Sequence, residues 1–483
     1  MNSLGKNTIY NAIKTVSTTL FPLIAFPYAT RMLLVDSLGK VNFGLSIISY
    51  FSLIASLGIN VYAIRECSKV RRDPEKLSTT ASQIFTINCI STIISYALLA
   101  LTLLLASPLE NYRTLIILQS ISIAASTIGA DWLNNVFEDF KFIAIRTIAF
   151  QFLSIFLLFL LVHNPNDYLI YAGITVVSNS GASIVNIIYR RRFCHLRVVF
   201  PIHLKRHLAP ILLLFGMQVS QIFFVNSDQT ILGLAKGDYD VGIYSLAVNV
   251  YTMVNTLIAS IAWVVMPRLS IGFEERDYGA VNATLSYAAK FIITFGSPLV
   301  IGLIVLGPEI IWFLGGSDFE PSVHPLRILA IALAASYVSG FFINIIMLPS
   351  GREKIVFISS AVCALVNVAL NIFLIPQFGY IAAAWTTVVA EVIGIIIVVP
   401  FVEKEIRLSG LTKTCISSLV GIGSIWIVGI VSNILFADPL VRMITSITAS
   451  LVMYLVISIL LKNDLVVGAL EIVRSKINLW RKQ

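Results

Sequence analysis

The amino-acid sequence predicts an all-α, polytopic membrane protein, and three observations carry that expectation. Charged residues make up only 12% of the 483, against 57% hydrophobic, and the mean hydropathy is +0.89; soluble domains sit near 25% charged. Apolar runs recur along the whole length, each close to the roughly 20 residues that cross a bilayer. Lysine and arginine gather in every second break between runs, as the positive-inside rule requires of a multi-pass chain.

Fourteen transmembrane spans follow, at 7–30, 41–64, 79–106, 112–136, 143–162, 168–189, 208–234, 241–267, 285–313, 325–348, 355–375, 380–400, 412–436 and 440–461. Barrel strands would alternate over about ten residues, so the long continuous runs are helices. With the N-terminus inside, 27 of the 34 Lys and Arg fall in inner segments and span ends, six in outer segments, and Lys14 within a span. Both termini are therefore expected in the cytoplasm, in a bacterial inner membrane. No cleavable leader is expected, because the first apolar run is too long. The net charge of +9 is explained by this topology, without nucleic acid as a partner. Cys67, Cys89, Cys194, Cys363 and Cys415 have no CxxC spacing, so no disulfide framework, metal site or cofactor is expected.

The basic stretch RRRFCHLRVVFPIHLKRH (190–207) reads as a cytoplasmic linker between two similar halves. The expected organisation is a six-helix bundle over 1–189, the linker, a second six-helix bundle over 208–400, and 401–483 with two extra spans and a basic tail. NFGLS (42–46) answers to VGIYS (241–245), and EDFKF (138–142) to GREKI (351–355). Six spans per half is an even number, so both copies enter the membrane the same way, a parallel pseudo-twofold repeat with a shared site between the halves. The C-terminal pair reads as an appended, lipid-facing helper.

Ionisable groups inside hydrocarbon are the informative minority. Taken in order, the first span carries Lys14, the helix-bending Pro22 and Pro27, and Arg31 at its far end, which suggests a hinged wall of a polar cavity. Arg65 closes the second span and Arg268 the eighth, where arginine also reaches headgroups. In the fourth, Asp131 is expected to pair with Lys141 or to cap a helix, and Asp228, about two turns from the outer end of the seventh, is expected to pair with Lys236. Lys290 sits near the start of the ninth span, within reach of headgroups. Glu391, in the middle of the twelfth, is either a structural group or a coupling-ion site. Asn60, Asn88, Asn226, Asn249, Asn255, Asn344, Asn367 and Asn371 read as helix glue. Positive charge in a membrane cavity calls for an anionic guest such as a diphosphate or an acidic sugar. All five histidines (His163, His195, His203, His207, His324) fall in predicted loops, so no catalytic cluster is expected.

The stretch YNAIKTVSTTLFPLIAFPYATRMLLVDSLGKVNFGLSIISYFSLIASLGINVYAIRE, the run DWLNNVFEDFKFIAIR (131–146), MPRLS (266–270) and NVALNIFLIPQFGYIAAAWTTVVAE (367–391) occur in an order that resembles one family. That family is the polysaccharide-transport (Wzx-like) branch of the multidrug/oligosaccharidyl-lipid/polysaccharide flippase superfamily. The chain departs from its pattern at Ala382 or Ala383, where a second Gly is usual, and in the fourth span, which lacks a Gln-Gly. The resemblance implies a non-enzymatic flippase for undecaprenyl-diphosphate-linked oligosaccharide of O-antigen or capsule type, working by alternating access around a cationic cavity. It places Arg31, Arg65 and Arg268 on arginines of the family's motifs; Lys14 and Asp228 are added from their burial in the spans. The implied partners are the lipid-linked oligosaccharide, membrane lipids and polysaccharide polymerase machinery, with the chain a monomer. The alternatives are a multidrug/cation antiporter of the same superfamily and, more remotely, a membrane-embedded polymerase or transferase.

Overall fold

The computed structural model describes residues 3–200 and 204–471, and among these there is no strand. Thirteen described segments are long and apolar enough to cross a membrane, which establishes the all-α polytopic class. The first of them, Phe21–Val70, is 50 residues long. At 1.5 Å per residue it measures about 75 Å, more than twice the hydrocarbon thickness of about 30 Å, so one crossing cannot use it up. The basic tail beyond 471 lies outside the described residues. The chain divides into two compact units, 1–242 and 243–483.

The first unit opens with α1 (Ser3–Ser56), which is two helices joined at a break. Leu34, with φ 61° and ψ −177°, is the non-helical residue. Pro22 and Pro27 both precede it and keep helical backbone angles. Proline removes one backbone hydrogen bond, but its fixed φ is itself helical, so the sharp departure falls where no proline sits. A left-handed turn at Leu57 and Gly58 leads into α2 (Ile59–Val70). The φ of Gly58 is 73°, and a Cβ there would lie 2.9 Å from the backbone nitrogen of Phe215, so only glycine fits.

Helix α3 (Pro74–Leu105) starts where Asp73 accepts the Lys76 N–H at 3.1 Å, with proline at the first helical position. Then come α4 (Arg113–Gly129), the short α5 (Trp132–Val136), α6 (Phe140–Leu161), α7 (Tyr168–Tyr189) and α8 (Leu204–Ala235). Helix α1 packs against α3, α4, α6, α7 and α8. Although α8 was expected to open the second bundle, it packs in the first unit. One reason is His207, which is buried in α8 and not in a loop: its Nδ1 lies 2.8 Å from the Tyr62 hydroxyl and its Nε2 3.0 Å from Gln83 Oε1. His203 falls outside the described residues.

The second unit holds most of α9 (Asp238–Glu274), then α10 (Tyr278–Phe291), capped by Asp277, and a π-helical turn over Ile292–Gly296. It continues through α11 (Ser297–Val305), α12 (Gly307–Gly315), α13 (Val323–Gly340), α14 (Glu353–Phe378) and α15 (Tyr380–Val398). The C-terminal pair, α16 (Leu411–Leu435) and α17 (Pro439–Leu460), belongs to this unit, and α16 packs on α11. A π turn widens the helix and loosens its regular carbonyl bonding. The Thr294 carbonyl accepts the Tyr454 hydroxyl at 2.7 Å, and Asn463 Nδ2 donates to Thr294 Oγ1 at 3.2 Å and to Ser417 Oγ at 2.8 Å. Lys290 does not reach for headgroups but pairs with Asp464 at 2.5 Å.

Each unit repeats one detail. After α7 an extended segment lies along α3, its Arg197 and Val199 N–H groups donating to Ser82 Oγ (3.3 Å) and Thr86 Oγ1 (3.1 Å). After α15 a second such segment lies along α10, with Arg407 and Ser409 N–H donating to Asn282 Oδ1 (2.9 Å) and Ser286 Oγ (3.0 Å). Alternate N–H groups of an extended chain match side chains one helical turn apart. The two units share this local arrangement.

Candidate functional site

The ionisable residues inside the first unit are mostly committed to structure. Asp131 does not pair with Lys141; its Oδ1 accepts Arg146 Nη1 at 2.8 Å and its Oδ2 accepts Ser183 Oγ at 2.7 Å. Arg146, only 6% exposed, also donates to the Ala182 carbonyl at 2.9 Å and lies over the Phe142 ring at 5.4 Å. Beside this pair, Asn134 Nδ2 donates to Asn186 Oδ1 at 2.7 Å and Asn186 Nδ2 to the Gly129 carbonyl at 2.9 Å. A charge-assisted network of this kind ties α4, α5, α6 and α7 together.

A cavity of ≈ 630 Å³ in this unit is lined by α1, α2, α3, α4, α7 and α8. Its polar lining is Ser49, Ser52 and Ser56, then Asn60, Asn88, Ser122, Ser126, Thr127, Asn179, Gln218 and Gln221. None of the lining residues is charged. Several of these groups are spent on the fold: Asn88 Nδ2 donates to the Ala55 carbonyl at 2.8 Å, and Thr127 and Thr92 hydroxyls meet at 2.7 Å. Ser49, Ser56 and Ser122 hydroxyls return to carbonyls of their own helices. Ser52, Asn60, Ser126, Asn179, Gln218 and Gln221 make no side-chain hydrogen bond among the described residues. Four carboxamides and two hydroxyls thus face one space with their donors and acceptors open.

The residues singled out from the sequence lie elsewhere. Lys14 is half-buried and Arg31 exposed on α1, about 25 Å apart at 1.5 Å per residue. Arg65 is exposed on α2, 3.2 Å from Glu66 and 5.7 Å over the Tyr62 ring. Arg268 is exposed on α9. Asp228 is buried on α8, in the neighbourhood of Tyr50, whose hydroxyl lies 3.2 Å from Thr230 Oγ1. Glu391 on α15 accepts Ser339 Oγ at 2.5 Å. None of these lines the cavity, and neither Pro22 nor Pro27 does.

Charge is a poor guide to this site, because its open groups are neutral carboxamides and hydroxyls. Asn60, expected to be helix glue, is one of the open groups; Asn88 does join α3 to α1 through the Ala55 carbonyl, Asn371 joins α14 to α15 by accepting the Thr386 hydroxyl at 2.5 Å, and Asn367 bonds Asn371 within α14 at 3.1 Å. A signal was available. Ser49, Ser52 and Ser56, Ser122 and Ser126, and Gln218 and Gln221 recur at three- and four-residue spacing in apolar helices, which places each set on one face.

Helices of this number, length and apolarity, with an open polar cavity among them, define a multi-pass membrane protein. The family model described as Polysaccharide biosynthesis protein matches residues 4–273, more than half of the chain, and the chain belongs to that family. A Shigella dysenteriae protein named as an O-antigen transporter is 25% identical over 415 residues, 84% of this chain and 100% of that one. An Escherichia coli K12 protein of the same name is 22% identical over 409 residues, 83% of this chain and 97% of its own. The solved structure titled lipid II flippase MurJ, inward closed conformation, has the same fold, with a TM-score of 0.76 at 19% identity over 95% of this chain and 100% of that one. The family resemblance read from the sequence is borne out.

Proposed function

We propose that the chain is a flippase that carries undecaprenyl-diphosphate-linked oligosaccharide repeat units, of O-antigen or capsule type, across the bacterial inner membrane by alternating access. The observation that carries this reading is the cavity with open carboxamides, in a membrane protein whose full-length relatives are named for O-antigen transport. None of the six open groups is fully buried: Asn60, Ser126, Asn179 and Gln221 are exposed and Ser52 and Gln218 half-buried, so the cavity is open to water and its amides and hydroxyls are available to a polar ligand. A sugar head group needs such a passage, while an isoprenoid tail stays among acyl chains.

In this reading Lys14, Arg31, Arg65 and Arg268, all outside the cavity, are each proposed as a contact for the diphosphate during its passage and not as one cluster, with Asp228 as a polar neighbour. Glu391 is the proposed coupling or structural group. Bending of the leading helix is assigned to the stretch from Pro22 and Pro27 to the break at Leu34, three residues beyond Arg31. The alternation of basic segments supports cytoplasmic termini, and the protein is proposed to act as a monomer that hands its cargo to polymerase machinery.

The test is deletion of the gene with assay of lipid-linked repeat units on the two leaflets. The flippase reading expects them to accumulate on the inner leaflet, with Lys14→Ala and Arg31→Ala blocking surface polysaccharide at unchanged protein level. Wild-type polysaccharide in the deletion strain would refute it; loss of transport in Asp228 or Glu391 variants alone, with a cationic drug as cargo, would favour an antiporter.

A further inference from the structure

We infer that the cavity of the first unit is a recognition site for an uncharged sugar, so that the repeat unit this chain carries presents a neutral or N-acetylated hexose, not a uronic acid, to Asn60, Asn179, Gln218 and Gln221. The inference rests on the flippase reading and adds to it the chemistry of the cargo. Each carboxamide offers two N–H donors and a carbonyl acceptor, and each sugar hydroxyl is both donor and acceptor, so the two sets can satisfy one another fully. The volume of ≈ 630 Å³ lies in the range of about 300–1,000 Å³ typical of small-molecule sites. Apolar groups between the amides, such as Ile48, Ile123 and Val225, suit the C–H faces of a sugar ring.

A carboxylate fits this lining poorly. It only accepts hydrogen bonds, so it can use the amide N–H groups but not the four carbonyl oxygens, which a sugar hydroxyl engages as well. Lysine and arginine are both absent from the lining. The unit's buried arginines are occupied elsewhere, Arg146 on Asp131 and Arg190 at 5.1 Å over the Phe85 ring. With no cation in the lining, a carboxylate gains no charge-assisted bond there to set against its lost hydration. The sequence reading allowed an acidic sugar as the anionic guest; here the diphosphate alone supplies the negative charge.

The experiment uses the purified full chain in vesicles with two polyprenyl-diphosphate trisaccharides that differ only in one hexose, present as the neutral sugar or as its uronic acid. Translocation is read by a membrane-impermeant sugar oxidant. The neutral substrate should cross faster by about tenfold or more, about 1.4 kcal/mol in barrier. Equal rates, or a faster uronic acid, would overturn the inference and leave the flippase reading in place. Absence of protein-dependent crossing for both substrates would overturn the flippase reading, and the inference with it. Gln221→Lys, on an exposed part of the lining, and Gln218→Lys supply the missing cation and should narrow the gap between substrates. An unchanged ratio in both, at an unchanged melting temperature, would place the sugar elsewhere.

Discussion

Replacing Asp131 by alanine should cost the protein about 3 kcal/mol of stability, although its carboxylate is 40% exposed. The cost arises at the partner. Arg146 is 6% exposed and paired at 2.8 Å, and without Asp131 it keeps only the Ala182 carbonyl and the face of Phe142. Its Nε–H already lacks a hydrogen-bond partner. Two unit charges 4 Å apart interact by about 4 kcal/mol at an effective dielectric near 20. Solvent screening at the exposed carboxylate lowers that figure, and loss of the Ser183 bond adds back about 1 kcal/mol. Asp131→Asn keeps two polar contacts and should cost less, about 2 kcal/mol. Arg146→Met in the Asp131→Ala background removes the stranded charge, and the cycle should show a coupling of about 2 kcal/mol. Equilibrium unfolding of the purified protein in mixed micelles measures the wild type, both Asp131 variants, Arg146→Met alone and the double variant. A loss under about 1 kcal/mol in Asp131→Ala, or a coupling near zero, would mean that Arg146 finds water, and the buried-pair argument would be wrong.

Gly129→Ala should destabilise by about 1–3 kcal/mol, because its Cβ would stand 2.7 Å from Ser183 Cβ and 2.8 Å from the Ser183 carbonyl; a wild-type melting temperature would show that α7 yields freely. Asn463→Leu removes the amide that joins Thr294 to Ser417, so hydrogen exchange in α16 and α17 should speed up by about tenfold or more, and unchanged protection would show that apolar packing alone holds the pair. The Lys290 hydrogen bond holds the Asp464 carboxyl below the usual carboxylate range. A carboxylate with a lowered folded-state pKa stabilises above its unfolded value of about 3.9 and loses that contribution as pH falls through the folded one. The melting temperature of the wild type should therefore fall slightly more than that of Asp464→Asn between pH 6 and the acid range below about 4, and parallel curves would count against the pair.

The sequence by itself determined the class: apolar runs near 20 residues, sparse charge and alternating basic breaks leave a helical multi-pass protein as the stable solution, since hydrocarbon obliges each backbone group to bond within its own segment. Helix starts were local too, as Asp73 before Pro74 and Asp438 before Pro439 show, each aspartate bonding N–H groups within three residues of itself. Family membership was legible because motifs survive in order along the chain. Tertiary structure alone decided which polar groups are spent and which stay open. Asn60 and Asn88 look alike in the sequence and both line the cavity, yet Asn88 is spent on the Ala55 carbonyl while Asn60 stays open. It also decided the partner of Asp131, fifteen residues away at Arg146 and not at Lys141, and the place of α8 with the first unit. A hydrogen bond depends on what another helix brings within about 3 Å, and spacing along one helix carries no record of its neighbours.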